Sequence, residues 1–340
     1  PTLTPTALPD LVRLDAVPYI DQHYGLNNCA PANLSMQLAF WGWTGTREQV
    51  SPMLKPFDKD KNVMPYEMAD YVNENTAFKA VVRQGGTVNL LKALTANGFP
   101  VMVEKGVMFR DTAGRISWMG HYNIVLGYDE AQQQFITHDS YLEDGKFKRF
   151  SYEQLKQEWQ AFNYVFMVVY PPELWDKLAG VLGAYADEVQ SYNLALDISA
   201  SEIPVTSDAA HFFAIFNRGT NLVKLQDYAG AAAAYDEAYN YYATLPEQNR
   251  PYRITWYQTG PYFAYYYMAR YQDVIQLANT TLDTTPEPYL EESYYWRALA
   301  EVMTGQQDAA ITDLCTSIKY HPDFSPSVSE LGSLGVSACP

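Results

Sequence analysis

The second half of this chain is built on a repeat, and that constrains its fold more than any other feature of the sequence. The stretches "FNRGTNLVKLQDYAGAAAAYDEAY" (216–239), "GPYFAYYYMARYQDVIQLANTTLDTTPEP" (260–288) and "SYYWRALAEVMTGQQDAAITDLCTSIKYHPDF" (293–324) can be laid over one another. Tyr228, Tyr271 and Gln307 then share a register position, and Ala231, Val274 and Ala310 share another three residues later. Pro286 and Pro322 close the second and third units. Each unit reads as a helical hairpin, repeating at about 34 residues. A pair of amphipathic helices cannot bury its apolar stripe alone, so neighbours must stack. Small residues such as Gly219, Ala231 and Ala298 let helices approach closely. The sequence therefore predicts an all-α array over 209–325, with a tail over 326–340.

Spacing, small residues and closing proline together resemble tetratricopeptide repeats. The third unit fits best, the second is stretched by an insertion, and the first lacks the closing proline. The resemblance implies a surface for a protein partner. The tyrosine clusters, Tyr239, Tyr241, Tyr242 and Tyr265 to Tyr267, read as core and helix-packing residues, the alternative being the lining of a concave groove for a peptide or glycan.

The first half carries mixed signals. Helical periodicity covers roughly 30–42, with Leu34, Leu38 and Trp41 on one face, and further helices are predicted near 65–75 and 87–97. Short β-rich runs follow: "PVMVEKG" (100–106), "HYNIVLGYD" (121–129), "QQFITHDS" (133–140) and "YVFMVVYP" (164–171). "SYEQLKQEW" (151–159) reads as a helix between strands. Helices first and an antiparallel-looking sheet after them predict an α+β domain over 15–172, closed by Pro171 and Pro172. A Pro/Thr-rich, flexible-looking segment (1–14) precedes it, and a connecting helix and linker (173–208) follow.

Chemistry concentrates in the α+β half. Cys29 stands at the predicted helix start, with Pro31 in the first turn. Unpaired backbone N–H groups and the helix dipole favour a thiolate there. On position alone, Cys29 reads as a small buried hydrophobe before it reads as a nucleophile. A nucleophile needs a base, and His121 opens a strand beside Gly120. The base needs an orienting acceptor, and Asp139 ends the next strand. The oxyanion needs donors, and Gln22 lies seven residues before Cys29. His138 beside Asp139 points to the opposite face of an alternating strand, so only one of the two can serve.

In order along the chain, "VPYIDQ", "NNCAPANLSMQLAFWGW", "GFPVMVEKG", "GHYNIVLGYD" and "FITHDS" resemble papain-like cysteine peptidases of the bacteriocin-processing type. The resemblance covers about 15–170. It implies Cys29 as nucleophile, His121 as base, Asp139 as orienting acid and Gln22 as oxyanion donor. Ala30 stands where that pattern has glycine, and Ser140 where it has proline. His23 is a second imidazole in the segment leading to Cys29.

Other classes are disfavoured. A net charge of -16 argues against nucleic acid, whose binding rests on Lys and Arg. No apolar run approaches the ~20 residues that span a bilayer. No Cys/His spacing matches a zinc-site pattern, and neither metal nor cofactor is expected. Cys315 and Cys339 could pair near the C-terminus, which would leave Cys29 as the odd cysteine, or could remain thiols. The opening segment suits a mature, extracytoplasmic chain whose targeting signal has been removed. The expected activity is cysteine peptidase or amide hydrolase on a peptide or protein, with the repeats binding a protein partner or restricting the cleft. The alternatives are a non-catalytic binding module on the same fold and a transglutaminase-like acyltransferase.

Overall fold

The computed structural model describes residues 8–25, 27–60, 62–110 and 116–339. Residues 1–7 of the expected flexible segment lie outside the described residues. The rest of that segment is not loose: Leu11–Arg13 form a strand, β1. In chain order there follow α1 (Cys29–Phe40), α2 (Arg47–Leu54), α3 (Pro65–Asn75), β2 (Lys79–Arg83), α4 (Val88–Ala96), β3 (Val101–Arg110), β4 (Ile116–Asp129), β5 (Gln134–His138), β6 (Lys148–Ser151), α5 (Tyr152–Gln160) and β7 (Phe166–Tyr170). The strands join in one antiparallel sheet of order β2-β7-β3-β4-β5-β6, with β1 pairing β4. Where β1 crosses, a Cβ on Gly127 would stand 2.0 Å from the Val12 carbonyl oxygen, so only glycine fits.

The helix α1 is buried on every side from Ala30 to Leu38. Most polar groups of such a helix must find partners inside the protein. Ser35 Oγ donates to the Pro31 carbonyl at 2.8 Å, and Gln37 Nε2 donates to the carbonyls of Pro100 and Met167 at 3.1 and 3.2 Å. Trp41 Nε1 reaches the Val169 carbonyl at 2.7 Å. These bonds tie α1 to β7 and to the start of β3. The strand β7, "FMVVY", is buried at all five positions between β2 and β3.

Local signals set the neighbouring helices. Thr87 accepts from Leu90 N at the start of α4, whose Leu90, Leu91 and Leu94 are buried. Gly98, at φ +89, supplies the left-handed turn after it. Ser151 caps α5, and Trp159 donates from Nε1 to the Val165 carbonyl at 2.6 Å.

The remaining elements are helical: α6 (Trp175–Leu182), α7 (Glu188–Glu202), α8 (Asp208–Lys224), α9 (Tyr228–Thr244), α10 (Ile254–Tyr257), α11 (Gly260–Tyr267), α12 (Tyr271–Leu282), α13 (Glu291–Met303), α14 (Gln307–Tyr320) and α15 (Ser325–Ser333). Tyr228, Tyr271 and Gln307 each open the second helix of a pair, and Ala231, Val274 and Ala310 are all fully buried. A Cβ on Gly219 would meet the Tyr235 ring at 2.8 Å, so α8 and α9 approach at that point. Two expectations need correction. The stretch 198–208, which reads as a linker, is helical through Glu202, and Pro204 sits in a following 3-10 turn. The tail contains α15, and Cys339 is disulfide-bonded to Cys315, with Cα atoms 5.6 Å apart.

Two compact units emerge, and they are interleaved along the chain, whereas the sequence reading places a single boundary near Pro171 and Pro172. The α+β unit comprises Pro1–Val50, Pro65–Val107 and His121–Ala195; the helical unit comprises Ser51–Met64, Met108–Gly120 and Leu196–Pro340. Aromatic side chains explain why two short segments join the helices. Within the helical unit the Phe57 ring lies 4.8 Å from Tyr289 and 5.6 Å from Tyr320. Trp118 lies 6.0 Å from Phe213 and 5.9 Å from Tyr257.

Candidate active site

Cys29 is the first residue of α1, half-buried, and the free cysteine of the chain. Its carbonyl accepts from Asn33 Nδ2 at 2.8 Å, one turn along. The antiparallel register of β4 and β5 sets Ile124 opposite His138. Extending it by one residue sets Asn123 opposite Asp139, with His121 two residues away on the same face. His121 Nε2 and Asp139 Oδ1 are accordingly 2.8 Å apart, both groups buried. The other side of the imidazole is hydrogen-bonded to Cys29.

The electrostatics follow. Burial alone would pull the His121 pKa down, but the Asp139 charge and hydrogen bond, with Cys29, outweigh it and push it up to about 9. Burial would raise Asp139, but the His121 charge and hydrogen bond, Lys105 and Asn123 hold it well below the usual carboxylate range. Lys105 is itself buried on β3. Its Nζ lies 2.9 Å from Glu158 Oε2, 3.9 Å from Asp139 Oδ2 and 4.1 Å from the Phe150 ring centroid.

Asp139 is also fixed through its backbone. Its N–H donates to the Gly145 carbonyl at 2.9 Å, and its carbonyl accepts from Tyr19 Oη at 3.2 Å. A Cβ on Gly145 would fall 1.8 Å from the Asp139 carbonyl oxygen.

Gln22 is joined to the same place. Its N–H donates to the Ser140 carbonyl at 3.0 Å, and its Oε1 accepts from Ser140 Oγ at 2.8 Å. Ser140 Oγ in turn accepts from Asn33 Nδ2 at 3.1 Å. This chain of donors occupies the oxygen end of the Gln22 amide and leaves the NH2 end as the donor for a ligand.

The four residues singled out in the sequence thus share one region of the α+β unit. The other two imidazoles are engaged elsewhere. His138 Nδ1 accepts from Phe147 N at 3.1 Å and its Nε2 faces the Val17 carbonyl at 3.1 Å; burial lowers its pKa. His23 is exposed, with Nδ1 2.9 Å from Asp21 Oδ2.

Sequence reasoning missed Asn33, Ser140, Lys105 and Glu104. Ser140 figured only as a departure from proline. Glu104 is buried on β3, hydrogen-bonded to Tyr122 and electrostatically coupled to Cys29; burial first, and Cys29 with it, push its pKa well up. The cue was present: Glu104 and Lys105 place two charges inside the apolar run "PVMVEKG", and a charge in a buried strand needs a partner. Among the described residues, one His/Cys/Asp/Glu group has metal-like spacing, Asp60, Glu291 and His321, and it belongs to the helical unit.

Known proteins resemble the α+β part. Residues 14–167 match the model of the Peptidase_C39 like family. A putative C39-like peptidase from Bacillus anthracis is similar in structure at 17% identity and a TM-score of 0.38, over 47% of this chain and 97% of that one. The peptidase domain of Streptococcus ComA, a bi-functional ABC transporter, is similar at 16% identity and a TM-score of 0.35, over 45% of this chain and 96% of that one. No curated protein matches. The family match is confined to residues 14–167, under half of the chain; that region is α+β with an antiparallel sheet and a buried helix, and an all-α C-terminal region follows it.

Proposed function

We propose that this chain is a cysteine peptidase or amide hydrolase in which Cys29, His121, Asp139 and Gln22 act together. The observation that carries the proposal is the imidazole of His121, hydrogen-bonded on one side to Cys29 at the start of α1 and 2.8 Å from Asp139 on the other. Cys29 Sγ, as thiolate, attacks the substrate carbonyl carbon. The Gln22 amide NH2 and the Cys29 backbone N–H receive the oxyanion. His121 gives its proton to the leaving amine as the C–N bond breaks, leaving an acyl-enzyme. His121 then takes a proton from water, whose oxygen attacks the acyl carbon, and the thiolate departs. Asp139 orients His121 and stabilises the imidazolium.

The helical unit is a tetratricopeptide-like array that binds a protein partner or restricts access to the thiol. The Cys315–Cys339 disulfide supports an extracytoplasmic setting, since such bonds persist in oxidising compartments.

Iodoacetamide labelling across pH tests the site. Cys29 should alkylate at pH 6, and this should be lost in His121→Ala; a rate that rises only near the ordinary thiol pKa of about 8.5 overturns the proposal. With His121 raised to about 9, the imidazolium persists below that pH and is lost above it. On a peptide substrate kcat/KM should therefore fall as pH passes about 9, read from a full pH profile.

A further inference from the structure

A buried lysine stands behind the imidazole. Lys105 lies on β3, and its side chain is 2% exposed. An ammonium at that depth is costly unless the fold supplies it with partners. Here they come from three places. Glu158 Oε2 on α5 lies 2.9 Å from Nζ, Asp139 Oδ2 just after β5 lies 3.9 Å away, and the Phe150 ring centroid on β6 lies 4.1 Å away.

The two oxygens of Asp139 are used differently. Oδ1 meets His121 Nε2 at 2.8 Å and accepts from Tyr141 N at 3.1 Å. Oδ2 faces Lys105 at 3.9 Å, too far for a hydrogen bond but close enough for charge to act. Glu158 accounts for that gap, because it takes the hydrogen bond from Lys105 Nζ at 2.9 Å. Glu158 is itself held: Gln154 Nε2 donates to its Oε1 at 3.0 Å, and Gln154 N donates to the capping Ser151 Oγ at 3.1 Å. The chain runs Glu158, Lys105, Asp139, His121, Cys29, and it alternates in sign throughout when Cys29 is thiolate and His121 imidazolium.

An unopposed carboxylate beside His121 would hold the imidazolium too firmly. It would be a weak acid toward a leaving amine, and little free imidazole would remain as the base for water. A cation behind Asp139 opposes that hold. From the placement of Lys105 between Glu158 and Asp139, we infer that Lys105 is a positioning residue of the site: its charge, kept at its distance by Glu158, moderates the pull of Asp139 on the imidazole so that His121 can serve as both acid and base. The chemical consequence rests on the peptidase reading above; the effect on the imidazole does not. The other ionisable groups around His121 are Cys29 on α1 and Tyr141, whose ring centroid lies 6.3 Å from that of the imidazole. Glu104, next to Lys105 on β3, is hydrogen-bonded to Tyr122 and within electrostatic reach of Cys29. All of these are retained in the variants below.

The test follows the His121 ring by NMR across pH in the full chain with isotopically labelled histidine, its resonance assigned by its loss in His121→Gln. In Lys105→Met the titration midpoint should rise from about 9 by about one pH unit, because the cation opposing Asp139 is gone. In Glu158→Gln it should fall by about half a pH unit, because Lys105 then acts on Asp139 alone. The Glu158 side chain is 23% exposed, so this is the safer variant for folding. On a peptide substrate at pH 7, kcat of Lys105→Met should drop about tenfold with KM little changed. A midpoint that stays put in both variants, moves the same way in both, or moves opposite to these signs would overturn the inference, and a Tm loss without a change in midpoint would make Lys105 a packing residue only. Failure of the peptidase reading shows separately, in the unsubstituted chain, as no alkylation of Cys29 at pH 6; the NMR midpoints need no turnover.

Discussion

In the α+β unit, Lys105 lies between Glu158 and Asp139, and Asp139 in turn holds His121. In the helical unit, Asp60, Glu291 and Glu292 gather near a single imidazole, His321. Both sets are buried, but the first alternates in sign along its length and the second gathers carboxyl groups beside one imidazole. The difference is not general to the helical unit, where Arg297 forks onto Asp313 at 2.6 and 2.7 Å and Arg270 onto Asp236 at 2.7 and 3.0 Å. A buried ionic chain that alternates in sign can hold a reactive group steady with no outside help. That divides the molecule into a unit whose buried charges hold a histidine beside a thiol and a unit whose charged side chains fasten helices to one another.

The sharpest way to break this division is at the thiol. Cys29→Ala should lower activity by about ten-thousand-fold or more, with Tm little changed, since the side chain is small and only half-buried. A large Tm loss, measured by calorimetry, would mean that Cys29 is structural. Gln22→Ala should cost about a hundredfold in kcat with KM little changed, the cost of one oxyanion donor, and steady-state kinetics would check this.

The next expected effect belongs to the helical unit. Opening the disulfide, as Cys315→Ser with Cys339→Ser, frees a link across 24 residues and should destabilise by about 3 kcal/mol. Chemical denaturation would read the loss. The alkylation rate of Cys29 in the same variant should not move; if it does, the two units share their stability. The smallest effect should come from Ser140→Ala. It removes one bond that orients Gln22 and should lower kcat about tenfold, while Ser140→Thr, which keeps the hydroxyl, should retain most of it. Equal losses in both variants would assign Ser140 a packing role instead.

The main elements were legible where local chemistry is strong. The α3 span and the start of α5 follow from periodicity and from Ser151, and the α4 cap from Thr87. The strands β2 ("KAVVR") and β6 ("KRFS") were not legible, because each is short and flanked by charge, and only pairing with β7 and β5 makes them strands. The interleaving of the units was hidden for a similar reason. Phe57 and Trp118 look like ordinary core residues of the first half until Tyr289 and Phe213 are placed against them. At the site, Cys29, His121, Asp139 and Gln22 stand in recognisable local patterns. Asn33 and Ser140 act through contacts 107 and 118 residues away in sequence, and such partners leave no local trace.

The disulfide has a practical consequence. With Cys315 and Cys339 bonded to each other, Cys29 is the one thiol left for a reagent. A single alkylating probe therefore counts molecules rather than merely damaging them. Dye incorporated per chain gives the fraction of any preparation whose Cys29 is intact, and rates can be expressed per competent site from the first experiment.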